Sequence, residues 1–372
     1  MWRMLKTLFI LEKTDKKNIF SILLVAIFVI GMVVFVNAED LGNSTKEKSG
    51  EYQTVKMALN KFQKEDASED GDGSDLYKNI VKQYHSVSKQ VMALKTDRPQ
   101  LYFDAAIDLT ELRRQAFEME DYERVANNLP TKIENELDYA YYQYLKKNEL
   151  DLSLNTFNFF QFFAFLFSVV GAIWFVFISL YSSNSMIEDF RHTSLIKGYP
   201  ISFGQYVLAK CMTSMGIVII FIIELVVCSL PLIYFKGLGD AAYPVSVFTG
   251  EVTIYTIAQY VTVSVLYMIF IAIFTILLSI ILNVLLKNVY LTLFVQLLLF
   301  IFPTLFPSLV KLMPYNPFNY LNFTSVLRGD ALNLENPVAL SSGDGLLTLG
   351  ISIVLLMVMV NRFLTSGRLK NL

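Results

Sequence analysis

An uncharged stretch of 35 residues, Val252 to Leu286, constrains the fold more than any other part of the sequence. As a helix that rises about 1.5 Å per residue, it would exceed the ~30 Å hydrocarbon core of a bilayer. Its first residues, including Thr253, Tyr255 and Thr256, are polar enough to lie outside the hydrocarbon or to line a wet passage. The stretch therefore predicts a membrane span over 255–286, preceded by a segment that leaves the bilayer.

Five more apolar runs have about the length of a membrane span. Of the 372 residues 54% are apolar and 17% charged, and the mean hydropathy is +0.47, which excludes an ordinary soluble domain. The predicted fold class is thus an all-α polytopic membrane protein with six transmembrane helices. The other five spans are predicted at 18–38, 157–182, 211–235, 289–310 and 345–361.

Residues 1–17 predict an amphipathic helix that lies in the membrane interface. Apolar side chains such as Leu5 and Leu8 share one face of the helix, and Lys6 and Lys13 fall on another. Five basic residues precede the first apolar run and three follow the last one. The positive-inside rule therefore predicts that both termini are cytoplasmic and that residues 39–156 are extracellular. The first run exceeds the apolar core of a signal peptide, which favours a retained span over a cleaved leader.

The segment 39–156 is polar, with 16 basic and 23 acidic residues and hence a net charge of −7. Its apolar residues recur at helical spacing, as in Val55, Leu59 and Phe62, and none of it alternates as a strand would. It predicts an extracellular helical domain, built as a small bundle or as extended hairpins. An acidic stretch from Asp70 resembles a calcium loop, but Val81 stands at position twelve, where such loops need glutamate. No metal site is predicted.

Polar residues within the predicted spans are candidates for a translocation path. Glu224 is the one charged residue of its apolar run, and a buried carboxylate is costly in a membrane. It either ties two spans together through Gln259, Gln296 or a serine, or faces a passage for cargo. The candidate path residues are Glu224, Gln259 and Gln296.

Two loops carry further patterns. In the loop 183–204, helical spacing places Met186, Ile187 and Phe190 on one face, with Glu188 and Asp189 on another. This segment can lie in the interface and present a charged face to a partner. The loop 311–343 contains prolines and aromatic residues, so it cannot be one regular helix. It predicts an aromatic anchor or a partly re-entrant hairpin at the outer interface.

These features together resemble a type-2 ABC transporter permease. The loop 183–204 and the residues that follow it read Glu188…Thr193…Tyr199-Pro200-Ile201-Ser202…Lys210. The more specific match is the family's proline-rich outer segment, which reads here Phe306-Pro307…Met313-Pro314…Asn316-Pro317-Phe318…Tyr320…Leu327-Arg328. The pattern departs from the family at His192, where glycine is usual before Thr193.

The resemblance implies a membrane subunit of a bacterial exporter that is not itself an enzyme. A coupling helix in the first loop would dock into a separate ATPase subunit, which would hold ATP and Mg²⁺, since this chain has no GxxxxGK[ST] motif. The implied coupling residues are Met186, Ile187, Glu188, Asp189, Phe190, Arg191, Thr193 and Pro200. The implied outer-loop residues are Pro314, Asn316, Pro317, Phe318, Tyr320 and Arg328. A second permease protomer, identical or paralogous, and the lipid bilayer would be the other partners, with no nucleic acid.

The implied cargo is amphipathic, whether a peptide such as a bacteriocin, a lipid or a drug. The alternative function is a membrane-anchored sensor or immunity protein whose extracellular domain binds a ligand without transport. A secondary transporter is disfavoured because Glu224 stands alone and no repeat is visible. A membrane enzyme is disfavoured because the sequence has two histidines, His85 and His192, without metal-ligand spacing.

Overall fold

The structure, a computed structural model, describes residues 2–62, 74–150, 157–187 and 203–365, and within these ranges the chain is almost entirely helical. Five of its segments are long and apolar enough to cross a membrane, so the chain is a helical multi-pass membrane protein. These segments are Lys16–Ala38, Phe159–Ser182, Gly204–Lys236, Ile257–Leu286 and Ser342–Arg362.

The chain begins with two helices, α1 (Trp2–Thr14) and α2 (Lys16–Ala38). The break falls at Asp15 rather than after residue 17, because the Asp15 side chain accepts a hydrogen bond from the Lys17 backbone at 2.9 Å and caps α2. Helix α1 does not continue the line of α2 but packs against a later membrane helix, where Phe9 contacts Gly216. We call the end of the bundle beside α1 the N-terminal side, and the opposite end the domain side.

A helical domain follows on the domain side. It consists of α3 (Ser44–Asn60), α4 (Asp75–Lys95), α5 (Pro99–Ala116), the short α6 (Glu123–Ala126) and α7 (Lys132–Lys147). Local sequence fixes several of the helix starts: Asn43 and Ser74 cap α3 and α4, and Thr131 with Glu134 forms a capping box on α7. A core of apolar side chains, among them Val55, Phe62, Ile80, Val87 and Leu109, is buried between these helices.

The next two membrane helices lie antiparallel to each other. Helix α8 (Phe159–Ser182) runs to the N-terminal side, and α9 (Phe203–Val227) returns. Helix α9 begins before the predicted limit at 211, and it ends because Pro231 has no N–H to continue the helical hydrogen bonds. After that break, α10 (Pro231–Lys236) completes the crossing.

A β-hairpin stands on the domain side before the next membrane helix. Strand β1 (Pro244–Phe248) pairs antiparallel with β2 (Val252–Thr256), and Pro244 lies opposite Thr256. The all-α prediction holds except for this hairpin, whose valines and threonines favour strands and whose turn places Gly250 at φ 106°. Helix α11 (Ile257–Leu286) starts only after it, because Thr256 and Gln259 form a capping box.

The predicted span 289–310 is divided in two. Helix α12 (Val289–Leu305) has 17 residues, about 26 Å at 1.5 Å per residue, which falls short of a ~30 Å hydrocarbon core. It ends because Phe306 precedes Pro307 and leaves the helical region. Helix α13 (Pro307–Leu312) follows at once. A sixth complete span therefore stays a prediction.

The last membrane helix, α15 (Ser342–Thr365), returns to the N-terminal side. Its residue Asn361 lines an apolar groove together with Gly204 at the start of α9. Both ends of the described chain thus lie on one side of the bundle. The segment between α13 and α15, which contains helix α14 (Phe323–Arg328), is described with the site below.

Candidate functional site

The predicted coupling residues fall largely outside the described part of the chain. Glu188, Asp189, Phe190, Arg191, Thr193 and Pro200 lie there. Met186 and Ile187, just beyond the end of α8, are described, and their side chains are buried at 0% and 5% exposure. Met186 belongs to the main apolar core of the bundle. The first two residues of the apolar face predicted for this loop are therefore packed inside the protein.

A polar junction, unforeseen from the sequence, lies on the N-terminal side at the end of α8 and the first part of α9, the two helices that flank that loop. The Lys17 ammonium donates to the backbone carbonyl of Tyr181, near the end of α8. Asn18 donates to both the carboxylate and the backbone carbonyl of Glu12, at 2.6 and 2.7 Å, across the corner between α1 and α2. Lys210 and Ser214 of α9 line the same small cavity. The junction thus bonds the end of α8 to the α1–α2 corner, at a place where α9 packs against α1 and α2.

The proline segment, which we define as residues 306–333, re-enters the bundle from the domain side. A 3₁₀ turn (Pro317–Tyr320) and helix α14 follow each other within it, and Tyr320 and Phe323 are buried at 1% and 0% exposure. Thr324 donates a hydrogen bond of 2.6 Å to the carbonyl of Ser168 in α8. Since Ser168 and Gly171 lie near the middle of the 24-residue α8, helix α14 reaches well into the bundle.

Gly171 makes this approach possible. A methyl group at its position would lie 2.7 Å from the ring of Phe323 and in direct collision with the Thr324 hydroxyl. Gly345 of α15 likewise allows a close approach of the proline segment to α15, because a methyl group at this position would lie 2.6 Å from the ring of Tyr320. The proline segment is therefore wedged between α8 and α15 at two glycines.

For the 311–343 loop, the sequence predicted either an aromatic anchor or a partly re-entrant hairpin. The buried residues of this loop agree with the re-entrant hairpin. An aromatic anchor at the interface is wrong for Tyr320 and Phe323, because other helices leave them no access to solvent or lipid, whereas Tyr315 is 70% exposed. Asn316 accepts from the Phe318 backbone at 3.2 Å and Pro317 starts the 3₁₀ turn, so these residues shape the entry that follows Pro314. Arg328 is exposed at the end of α14.

The proline segment also touches the helical domain. Gly329 follows Arg328 with φ 72°, and a methyl group there would lie 3.0 Å from Ile133 of α7 and 2.8 Å from Phe248 of β1. Ile133 and Phe248 are both buried, and together with Leu137 they form a small apolar cluster. The helical domain, the hairpin and the proline segment thus meet at one point.

Gln296 has a structural partner. Its amide donates to the Ser279 hydroxyl at 2.7 Å, and Ser279 lies 2.6 Å from the hydroxyl of Ser182. This buried chain of polar side chains joins α12, α11 and α8. Polar groups between membrane helices stabilise their packing by about 0.6 kcal/mol each on average.

Gln259 and Glu224 occupy different environments. Gln259 is exposed and caps the start of α11, where its side chain accepts from the Thr256 backbone at 2.9 Å. Glu224 is half-buried on α9, and its Oε2 atom is enclosed without a hydrogen-bond partner among the described residues. In the described part of the chain no hydrogen bond joins any two of the three candidate path residues. The predicted tie between Glu224 and a glutamine is not formed there.

We expect Glu224→Gln and Glu224→Leu to keep or raise the thermal stability of the protein in detergent. No hydrogen bond of the described structure is lost, and a charged side chain near the middle of a membrane helix costs roughly 2.5–3.5 kcal/mol on insertion scales. Gln296→Leu is the contrasting control, because it removes the bond to Ser279 and is expected to lower stability. A large stability loss in Glu224→Leu alone would contradict this account.

A charged cluster of Lys48, Glu51 and Arg113 lies inside the helical domain. Arg113 is 2% exposed, and its Nη2 atom lies 2.5 Å from Oε1 of Glu51. Lys48 lies 2.6 Å from the other oxygen of Glu51. Burial alone would raise the pKa of Glu51, but the charges of Lys48 and Arg113 outweigh it and hold that pKa at about 2. Glu51 is therefore ionised at any physiological pH.

Among the described residues, no group of three or more His, Cys, Asp or Glu side chains is arranged to hold a metal ion. Comparisons with protein-family models, with curated proteins and with solved structures find nothing that matches this chain.

Proposed function

We propose that this chain is the membrane-spanning permease subunit of an ATP-driven ABC exporter. It would pair with a second permease protomer and with a separate ATPase subunit that binds ATP and Mg²⁺. The cargo would be amphipathic, such as a peptide, a lipid or a drug. The observation that carries the proposal is the proline segment, which resembles the family in sequence and folds back between α8 and α15 at Gly171 and Gly345.

Helix α8 connects the loop 183–204 to the proline segment and could therefore transmit movement between them. One of its ends enters the loop 183–204, and its middle holds α14 through the bond between Thr324 and Ser168. A displacement of the loop would therefore be passed to the proline segment by a rigid helix. Rigid-body movement of packed helices is a common way to convert the closure of one subunit into the opening of another.

The polar junction supports the same proposal on the N-terminal side. Lys17 holds the start of α2 close to the end of α8, and Lys210 of α9 lines the same small cavity as Tyr181. A partner that pushes on the loop would then move three helices together with the α1–α2 corner. In the proposed orientation this side is cytoplasmic, and the protein lies in a bacterial cell membrane.

The orientation predicts a labelling pattern for single cysteines placed in a chain with Cys211 and Cys228 replaced by serine. In sealed right-side-out vesicles, Asp108→Cys is expected to react with a membrane-impermeant maleimide, and Lys13→Cys only after the vesicles are opened. Both positions are exposed, so access to the reagent depends on the side of the membrane alone. The reverse pattern would invert the proposed orientation.

The test of the function is co-purification with an ATPase subunit, and Phe190→Ala is the informative variant. If Phe190 fills a pocket in that subunit, its loss is expected to weaken binding by roughly 2 kcal/mol or more, which is more than tenfold. Transport and cargo-stimulated ATP hydrolysis would fall with it. Phe235→Ala is the matched control, because Phe235 is 69% exposed on the domain side. If Phe190→Ala bound the ATPase subunit as tightly as Phe235→Ala and the unaltered protein do, the coupling role of Phe190 would be refuted.

A membrane-anchored sensor or immunity protein is the second candidate. The contact between the helical domain, the hairpin and the proline segment favours it, because a ligand on the domain could act on the bundle through Ile133 and Phe248. The same purification separates the two functions. A sensor would be isolated without an ATPase and would bind its ligand unchanged in Phe190→Ala.

A further inference from the structure

A cavity of about 520 Å³ lies where the helical domain meets the membrane helices. Helices α3 and α7 form one wall, and the chain from Tyr243 to Ser246 forms another. Phe157, Gln161 and Ala164, at the start of α8, form the base. Small-molecule sites in proteins typically have volumes of 300–1,000 Å³ and occur between domains.

Four tyrosines line this cavity. Tyr102 and Tyr142 meet edge to face with ring centroids 6.0 Å apart, and Tyr141 and Tyr142 do so at 5.5 Å. The Tyr141 hydroxyl donates to that of Tyr243 at 3.1 Å, which links the helical domain to the hairpin. Aromatic rings attract cations through their π faces, by about 0.5–2 kcal/mol each. The sequence signal for this cluster is the tyrosine-rich run of α7.

The charges of the cavity favour a cation as well. Glu47, Glu51 and Asp138 line it against a single lysine, Lys48. Glu51 is already bonded by Lys48 and Arg113. The half-buried carboxylate of Asp138, in contrast, accepts no hydrogen bond from any residue that the structure describes. Burial raises the pKa of Asp138, and the positive charges of Lys48 and Arg113 offset that rise only in part.

The protein already places one ammonium group on this surface. The Nζ atom of Lys48 lies 5.6 Å from the centroid of the Tyr142 ring. The geometry of the tyrosines is thus compatible with a bound cation, and Lys48 would compete with a ligand for that ring. Phe157, Ala164, Val245 and Ile257 supply apolar walls on the side nearest the membrane helices.

We propose that this cavity binds an organic cation, an ammonium group carried on an apolar body, with Asp138 as its counter-ion and the tyrosines around it. The ammonium could come from a lipid headgroup, because the base of the cavity belongs to the first turns of α8, or from a free amphipathic ligand. Binding needs this chain alone. It therefore stands or falls separately from the proposed export function.

The test is calorimetric titration of the whole protein in dodecyl maltoside micelles, which carry neither charge nor ammonium, with benzyltrimethylammonium as the probe. We expect saturable binding to the unaltered protein, about tenfold weaker binding to Asp138→Asn, and unchanged binding to Asp108→Asn, whose carboxylate is exposed elsewhere on the domain. Lys48→Met is expected to bind the probe more tightly because the competing ammonium is gone. Tyr142→Phe keeps the ring face and the affinity, whereas Tyr142→Leu loses affinity.

Benzyl alcohol, a neutral relative of the probe, tests charge recognition and is expected to bind far more weakly. Equal affinity for both compounds, equal affinity of Asp138→Asn and the unaltered protein, or no saturable binding to Lys48→Met would each overturn the proposal. Native mass spectrometry identifies the source. Phosphatidylethanolamine retained by the unaltered protein but not by Asp138→Asn would indicate the lipid headgroup, and its absence from a protein that binds the probe would indicate a free ligand.

Discussion

Gly171→Val is expected to lower the free energy of unfolding of the purified protein by about 3 kcal/mol or more. Even the first carbon of a side chain at this position would lie 2.7 Å from the ring of Phe323 and would collide with the Thr324 hydroxyl. Neither neighbour can yield easily, because Phe323 is fully buried and Thr324 is bonded to Ser168. Overpacking of a tight interior usually costs 1–3 kcal/mol, and a branched side chain adds further atoms to the collision.

Thermal unfolding in detergent measures this effect, and Gly31→Val is the matched control. Gly31 also lies within a membrane helix, but a methyl group there would meet no described atom within 4 Å. The control is expected to unfold near the temperature of the unaltered protein. A second variant that combines Gly171→Val with Thr324→Ala should recover part of the loss. Similar stability of the Gly171 and Gly31 variants would mean that α14 does not enter the bundle at this point.

The positions of the membrane helices followed from the sequence because apolar length is a local property. The break in the predicted 289–310 span was missed, although the sequence carries its signal in Phe306, which precedes Pro307. The contact of Gly171 with α14 was not visible, because about 150 residues separate the two and glycine carries no pattern that names its partner. The hairpin was missed because β1 and β2 have five residues each and lie beside long apolar helices.

The candidate sites divide in the same way. The proline segment was found because its prolines and aromatic residues are close together in the chain. The cavity beneath the helical domain was not found, because its walls come from residues as distant as Gly42 and Ile257. Gln259 and Gln296 were chosen as candidate path residues because they are polar residues within the spans. In the structure, the Gln259 side chain caps a helix and the Gln296 side chain is bonded to Ser279. Residue type alone does not show which polar groups already have partners.

The contacts on the domain side form a continuous path from the cavity to the bundle. Tyr141 of α7 is bonded to Tyr243 beside β1, and Phe248 of β1 packs against Ile133 and Gly329. Gly329 directly follows α14, which is held by α8 through Thr324. A ligand that separates α7 from the hairpin would therefore act on the same helix that leads to the coupling loop. This links the proposed cation site to the proposed transport movement.

The second large effect is expected from Arg113→Met, which should destabilise the helical domain by about 3–5 kcal/mol. Removal of one partner of a buried ion pair leaves the other charge without compensation, and this is more damaging than the loss of a surface pair. Arg113 is 2% exposed and Glu51 22%, so water replaces the lost guanidinium poorly. Lys48 remains beside Glu51 and limits the loss. Chemical unfolding of the whole protein, followed by the loss of helical circular dichroism, measures the change.

Arg114→Met is the control, one residue away on the same helix. Arg114 pairs with Glu136, but these side chains are 36% and 38% exposed, and surface pairs contribute about 0–1 kcal/mol. Its guanidinium also stacks on the ring of Tyr139 at 3.7 Å, which adds a similar small amount. The two variants differ in burial far more than in chemistry. Equal stability losses would show that the Arg113–Glu51 pair is not buried as described.

The pH dependence of stability tests the same cluster through Glu51. Its pKa is 4.5 when unperturbed and about 2 in the folded protein, a difference that corresponds to roughly 3 kcal/mol. Because the folded pKa is the lower one, this contribution is fully present above pH 4.5 and is lost as the pH falls towards 2. The stability difference between the unaltered protein and Glu51→Gln should therefore shrink from pH 5 to pH 2. The raised pKa of Asp138 has the opposite sign, and because burial rather than the Glu51 charge is its largest cause, it acts in both proteins and largely cancels from the comparison. A difference that stays constant over this range would show that the Glu51 carboxylate is not held ionised by Arg113 and Lys48.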